Sequence, residues 1–466
     1  MPISLASLTQ LIIFNISYNS INGSIPSFLG NLTNLVTLSP DSNQISGSIP
    51  SSLGNLINLV TLSLHSNQIN GSIPSSLGNL TNLVSLSLDS NQISSFIPSS
   101  LGILTNVVTL SLDSNQIRGS IPSSLGNLTN PVTLSLYSNQ ISGSIPSCLG
   151  NLTYLVTLSL GSNQINGFIP QEIGNMNNLS ELHLNKNELI CLIPSSLGHL
   201  TNLYSLSLDS NKINGSIPLE IGTMKNLGEL YLNNNDIFGP IPSIIGNLTN
   251  LVILSLGWNK ISGSFPVEIA NCSLLYNLIL SHNYITGSIT FGNDNFIKYL
   301  EPSHNNLNGF IPRTINIWNY HFSLNTLSLS WNQISGSIPE EIIGYLNLFQ
   351  NIDLSHNNIT GEIPFNLGDS QYLVVLDLSY NNLIGNISDF SISMKEINFS
   401  YNSLQGQIPN GYQNFSLYTF IGNKDLCGDF KSFPPCHPSA PHNNRSIVLV
   451  LAFLPILVIL GCVFLF

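Results

Sequence analysis

Charge is scarce in this chain. Of 466 residues, 11 are lysine or arginine and 23 are aspartate or glutamate, so 7% are charged and the net charge is −12. Ordinary soluble domains carry about 25% charged residues. So few cations exclude a nucleic-acid surface, which needs Lys and Arg to neutralise phosphates. Catalytic signals are equally thin. The nine histidines are scattered, and the six cysteines show no metal-ligand spacing. Neither HExxH, CxxC, GxSxG nor a glycine-rich phosphate loop with its lysine occurs. No catalytic residue, metal or cofactor is expected, and the chain reads as a binding protein rather than an enzyme. A basic segment leading into an apolar one, the mark of a secretory leader, is also missing at the start.

What the chain has in abundance is a rhythm. Asn19, Asn43, Asn67, Asn91, Asn115, Asn139, Asn163, Asn187, Asn211, Asn235, Asn259 and Asn283 recur at one fixed interval, and Asn305, Asn332, Asn357, Asn381 and Asn402 continue less evenly. A fixed period in this range means stacked units, each covering the apolar side of its neighbours. In Leu59–Asn82 the run Leu62-Ser63-Leu64 alternates in and out, as a short strand does. Asn67 follows at the turn, where an inward amide is expected to satisfy backbone groups of its own coil and the next. Gly71 permits the next turn, Pro74 sets its φ, and Leu77 and Leu80 complete the core.

The pattern LxxLxLxxNxIxGxIPxxLGxLxxL, with Ile-Pro at Ile25-Pro26, Ile49-Pro50, Ile73-Pro74, Ile97-Pro98 and later repeats, resembles the plant extracellular leucine-rich repeats. The resemblance implies an α/β solenoid. Its features would be a right-handed superhelix, a parallel concave β-sheet, a second small sheet, and a convex side of short 3-10 helices and loops. The expected organisation is a solenoid of about 17 repeats over 1–422, a cysteine cap over 423–436, a polar linker over 437–446 and one transmembrane helix over 447–466. Residues 447–466 (IVLVLAFLPILVILGCVFLF) carry no charge, and twenty helical residues span about 30 Å. Cys427 and Cys436, in LCGDFKSFPPC, resemble the disulfide-closed C-terminal cap of such ectodomains. Cys148 and Cys272 read as small buried residues, and Cys191 replaces a motif glycine. Met1-Pro2 resembles a repeat already in progress, so the family's N-terminal cap is expected to be missing and the chain to be a fragment or a truncated product.

Sixteen N-x-S/T sequons occur, and Asn-Leu-Thr repeats at one phase: Asn31, Asn79, Asn127, Asn151 and Asn247. They are read as glycosylation sites outside the concave face. On that face, Thr37 to Ser159 is monotonous. Asp41, Asp89, Asp113 and Asp209 form a column read as a solvated face. Beyond it the columns diversify at Glu181, His183, Asn185, Glu229, Tyr231 and Asn233, and Trp258 and Trp331 stand before ladder asparagines. Glu181, His183, Asn185, Glu229, Tyr231, Asn233 and Trp258 are the candidate ligand-binding set; drift in solvent-facing positions would diversify the columns equally. Pro40, Pro131 and Pro302 stand where a strand or its entry needs an N–H, and Ser95 and Cys191 replace turn glycines.

By resemblance, the whole reads as the ectodomain and membrane span of a plant leucine-rich-repeat receptor-like kinase whose Ser/Thr kinase is absent from these residues. The expected partners are an extracellular peptide or protein ligand, a co-receptor leucine-rich-repeat kinase and the membrane, with no nucleic acid. The expected site is the plasma membrane, single-pass, with the repeats outside. Two alternatives stay open: a kinase-less receptor-like protein signalling through a partner, and a secreted repeat protein inhibiting a pathogen's wall-degrading enzyme.

Overall fold

The computed structural model describes residues 1–290, 297–313, 324–343, 349–369, 372–389, 394–429 and 432–436. The linker and the apolar run at 447–466 lie outside the described residues. Among the described residues no helix is long and apolar enough to cross a membrane.

Each coil opens with a three-residue strand such as Thr61–Ser63. It pairs in parallel with the same segment one coil on, Thr61 against Ser85, Leu62 against Leu86 and Ser63 against Ser87. Repetition builds a 17-stranded sheet. The central leucine points inward and is fully buried in coil after coil, as Leu62, Leu86, Leu158, Leu206 and Leu230 show; its two neighbours face the concave surface, as period 2 requires. Where proline follows the strand, the third register pair is lost. Thr37–Ser39 before Pro40 keeps two partners in the next strand, and so does Tyr299–Glu301 before Pro302, because proline has no N–H to donate.

The convex side is made of five-residue 3-10 helices, such as Ser75–Asn79. Pro74 precedes it at φ −66 and ψ 134, a conformation its ring already favours. No α-helix stands among the described elements. Gly78, to which the sequence assigned no role, permits the close approach of coils: a Cβ there would collide with the Ser100 backbone. At the entry to the 133–135 strand, Pro131 has a local effect. Leu128 swings to ψ 133 where Leu80 has ψ 59, and the Thr129 hydroxyl donates to Thr105 O at 2.6 Å.

The asparagines hold the corners. Asn67 Nδ2 donates to Pro40 O of the coil before (3.0 Å) and to His65 O of its own coil (3.1 Å), while its Oδ1 accepts from Ile45 N (3.0 Å). The bridge thus runs to the preceding coil rather than the following one. The same contacts recur through Asn43, Asn91, Asn115, Asn139, Asn163, Asn187, Asn211, Asn235, Asn259 and Asn283. They persist across the irregular coils, where Asn332 Nδ2 reaches Pro302 O, 30 residues back. A second ladder, which the sequence reading did not identify, runs down the convex side. Asn58, Asn82, Asn106, Asn178, Asn202, Asn226 and Asn250 each donate to a carbonyl 25 residues earlier.

The small flanking sheets run in sets of four, nine and five strands. The first break falls at Ser95, which does not take the left-handed turn that Gly71 and Gly119 adopt (φ 77 and 80). Cys191 does take it (φ 67), and the sheet continues through it. Cys272 is fully buried, and burial pushes its thiol up to about 11. Cys148 is half-buried, its Sγ 3.0 Å from Ser123 O.

At the C-terminal end Asn423 supplies a final rung, donating to Phe399 O and accepting from Leu404 N, so the ladder enters the segment assigned to the cap. Asp425–Cys427 adds a last strand to the flanking sheet, and Cys427 is bonded to Cys436. Phe399, Tyr412 and Phe420 fill the closing core.

Two substitutions test the ladders. Asn259→Ala strips a buried corner of its bridge and is expected to cost about 3 kcal/mol; Asn82→Ala, on the exposed convex ladder, about 1 kcal/mol or less. Denaturant melts of the two variants measure the difference, and equal losses would show that the corner asparagines have no special role.

Candidate functional site

The concave face is read along its outward columns. In the N-terminal half, the aspartates are turned onto the scaffold. Asp41 Oδ1 accepts from His65 N (3.1 Å), Asp89 Oδ1 from Asp113 N (2.9 Å), and Asp113 Oδ1 from Tyr137 N (2.6 Å). Ser111 and Ser135 hydroxyls donate to the same carboxylates. These three aspartates therefore tie their coils to the next instead of standing free in solvent, while Asp209 accepts only from Ser207 and Ser210 of its own coil. Burial holds the Asp113 carboxyl above its usual range, with the charge of Asp89 adding to the rise and hydrogen bonds from Ser135 and Tyr137 opposing it. Among the described residues no group of three His, Cys, Asp or Glu is placed to hold a metal ion.

The second half is different. Glu181 and His183 flank buried Leu182, and Glu229 and Tyr231 flank buried Leu230, with Ser205 and Ser207 in the strand between. His183 Nε2 lies 3.8 Å from Glu181 Oε2. Ser205 Oγ donates to Glu229 Oε2 (3.1 Å), and Ser255 Oγ to Asn233 Oδ1 (3.1 Å). Burial raises the Tyr231 phenol above its ordinary value, helped by the charges of Glu229 and Asp209. The structure thus places Glu181, His183, Glu229 and Tyr231 on two strands of one surface, separated by the Ser205–Ser207 strand, with Asn185 and Asn233 at its edge.

Tyr204 belongs to this surface and was missed from the sequence. Its ring lies across Gly228 of the next coil, where any Cβ would strike it. Tyr137 likewise covers Gly161, with Asn185 Oδ1 on the far side. The signal was a tyrosine one repeat before a glycine, and it acquires meaning only once adjacent coils are known to touch.

Trp258 stands apart, at the coil corner. It begins a file of rings, one per coil, in the position before each ladder asparagine. Centroid separations are 3.6 Å to His282, 4.0 Å on to His304, 5.5 Å to Trp331, 3.7 Å to His356, 4.1 Å to Tyr380 and 4.3 Å to Tyr401. Every one of these residues is left-handed, with φ between 52 and 57. Burial lowers the His282 and His356 imidazoles, His304 adding to both, while Asp377 and Asp353 oppose at His356. On the opposite flank a groove is lined by Phe310, Arg313, Glu340, Glu341, Glu362 and Phe365.

The Leucine Rich Repeat family profile matches residues 10–32, 58–80, 82–104, 106–128, 130–152, 154–176, 202–224, 226–248, 250–272, 323–344 and 349–370. These segments make up more than half of the chain, which belongs to the leucine-rich-repeat family. Among curated relatives it is similar to pollen receptor-like kinase 2 of Arabidopsis thaliana, 37% identical over 26% of this chain and 20% of the relative. It is also similar to polygalacturonase inhibitor 1 of the same plant, 33% identical over 23% of this chain and 33% of the relative. The matches thus span a third or less of these relatives' lengths. Among solved structures it resembles the ectodomain of the Arabidopsis receptor kinase HAESA in complex with an IDA peptide hormone. There the TM-score is 0.78 and the identity 33%, over 94% of this chain and 78% of that one. It also resembles the plant peptide hormone receptor RGFR1 in complex with RGF2, with TM-score 0.72 and 31% identity over 92% and 81%. The repeat region has the architecture of plant receptor ectodomains.

The Asp113 carboxyl gives a pH test. Its folded pKa is raised above the unfolded value, so the ionised group weakens the fold at neutral pH and the penalty fades as pH falls through the folded value. Asp113→Asn is therefore expected to raise the melting temperature at pH 7, with the gain vanishing below about pH 4. A gain that persists in acid would mean the carboxyl is not the cause.

Proposed function

We propose that the chain is the ligand-binding ectodomain of a plant cell-surface receptor, taking an extracellular peptide on the concave face of coils 181–260 and meeting a co-receptor kinase. The carrying observation is the change in that face: aspartates and serines spent on the scaffold give way to Glu181, His183, Tyr204, Glu229 and Tyr231, projecting from a rigid sheet. Tyrosines and carboxylates on such a frame suit an extended peptide, because they offer large contact area at low ordering cost. Support also comes from the resemblance to receptor ectodomains solved with peptide hormones, one of them with the co-receptor SERK1.

The apolar run at 447–466 would anchor the chain by a single pass, with the repeats outside and the kinase supplied beyond these residues or by a partner. The relatives named receptor-like protein and polygalacturonase inhibitor favour a second reading without a kinase of its own; a membrane anchor fits the former of the two.

A panel of synthetic secreted plant peptides, titrated against the purified chain by fluorescence anisotropy, tests the reading. At least one binder is expected, weakened about tenfold or more by the pair Glu229→Ala and Tyr231→Ala, the loss typical of interface anchors. Affinity untouched by that pair would move the ligand elsewhere; no binder in the panel would count against the receptor reading.

The glycosylation pattern belongs to the same proposal. Asn31, Asn79, Asn127, Asn151 and Asn247 are exposed and end convex 3-10 helices, away from the peptide surface. Chain expressed in plant cells should carry glycan at these five, read as deamidated asparagines after glycosidase treatment. Unmodified asparagine at all five would argue against passage through the secretory route.

A further inference from the structure

The second strand of each coil builds the flank of the solenoid. Over the first coils its outward residues are chiefly Ser, Asn and Gln, as in Gln44–Ser48 and Gln68–Gly71. Between residues 168 and 238 the flank changes. Phe168, Ile190, Leu192 and Phe238 are exposed there, Leu192 by 61% and Phe238 by 55%. The strand register gathers them. The residue after one turn pairs with the residue before the next, Ser48 with Asn70 and Ser144 with Asn166. The same register brings Phe168 beside Ile190, Leu192 beside Asn214 and Ser216 beside Phe238. Leu192 also lies over Gly215, where a Cβ would collide with its Cδ2. Paired strands are about 4.8 Å apart, so these side chains form one apolar patch across successive coils.

Inside the patch stands Asn214-Gly215-Ser216, an N-x-S sequon whose asparagine is exposed. The same tripeptide occurs at the same phase at Asn22 and Asn70. There the paired neighbours are polar: Gln44 beside Asn22, and Ser48 and Gln92 beside Asn70. Asn214 differs in having Leu192 on one side and Phe238 next to its serine. Ion pairs bound the patch, Lys212 with Glu188 at 3.2 Å and Lys260 with Asp236 at 2.7 Å. On a chain this poor in charge, bare apolar surface invites association. The sequon supplies an attachment point for a cover.

We propose that Asn214 carries an N-linked glycan whose first N-acetylglucosamine lies over Leu192 and Phe238, closing this flank to protein partners. The inference rests on the secretory route included in the receptor reading above, and goes beyond it by giving one glycan a packing role. The modification is a substitution at the anomeric carbon of a lipid-pyrophosphate-linked oligosaccharide, catalysed by the host's transferase. The bond from Asn214 Nδ2 to C1 forms, the C1–O bond to the pyrophosphate breaks, and one amide proton leaves with the pyrophosphate. Ser216 provides the hydroxyl that the sequon requires. A pyranose presents C–H groups on its ring face. These pack against leucine methyls and against the electron-rich face of a phenylalanine ring, while the sugar hydroxyls stay in water. A glycan at Asn70 has only serine and glutamine beside it and gains no such contact.

The test uses the full chain purified from plant cells. Peptide mapping after glycosidase treatment is expected to find Asn214 deamidated. Hydroxyl-radical footprinting then compares the parent with Ser216→Ala, which removes this sequon but keeps the Cβ, and with Ser72→Ala, which does the same for Asn70. Oxidation of Leu192 and Phe238 should rise about twofold or more in Ser216→Ala, as covered apolar surface returns to water, and should not change in Ser72→Ala. Phe96, exposed on the same flank with no sequon beside it, is the internal reference and should stay constant. Bare Asn214 in a chain whose convex sequons carry glycan would overturn the proposal and leave the receptor reading standing. A rise matched at Phe96 would overturn it too. Protection that persists in Ser216→Ala would give the patch to a second copy of the chain instead. Glycan at none of the sequons would sink the secretory route and this proposal together.

Discussion

Everything in this molecule depends on how its buried corners satisfy their backbone. After each strand the chain turns inward through a left-handed residue, and the carbonyls and N–H groups of that turn are shut away from water. An unpaired backbone group there would cost free energy comparable to a lost hydrogen bond. One asparagine amide per coil resolves this by donating to carbonyls on two coils and accepting an N–H from the earlier one. The left-handed conformation, unfavourable by about 1 kcal/mol or more for residues other than glycine, is tolerated at these corners because the ladder holds it.

The ladder also explains where function has room to vary. Strand and corner are locked, so coil length changes elsewhere: Asn305 and Asn332 keep their rungs although the spacing on either side departs from the regular repeat. Side chains facing outward from the locked half stand in columns about 4.8 Å apart. A residue's neighbours are thus its counterparts one repeat away rather than its neighbours in sequence. The aspartates exploit this by capping the next coil's N–H, the tyrosines by lying over the next coil's glycine, and the corner rings by stacking. Asp41, Asp89 and Asp113 are bound to the next coil's backbone; Glu181 and Glu229 meet only side chains.

Much of this was legible in the linear chain. The strand residues, inward leucines and corner asparagines follow from residue type and period, the closing cysteine pair follows from the resemblance to plant ectodomain caps, and Pro40 and Pro302 lose the ladder partner that proline's missing N–H predicts. What escaped shares one cause. The Leu-Gly glycine, the convex asparagines, Tyr204 over Gly228 and the continuity from Trp258 to Tyr401 are relations between coils, set by how closely they pack. Ser95 and Cys191 looked alike as glycine replacements. One breaks the flanking sheet and the other does not, because cysteine here accepts the left-handed turn and serine avoids it.

The sequence by itself determined the architecture, since a strict period with apolar residues in fixed phase has one economical solution, stacking. It also determined which residues face out, because strand alternation leaves no choice of side. Tertiary structure alone decided which outward residues are tied to the backbone of the next coil. Asp113 and Glu229 are both acids in outward columns, yet one accepts from the next coil's backbone and the other only from the Ser205 hydroxyl, beside half-buried Tyr231. That difference lies in the spacing and direction of adjacent coils, which no single repeat encodes.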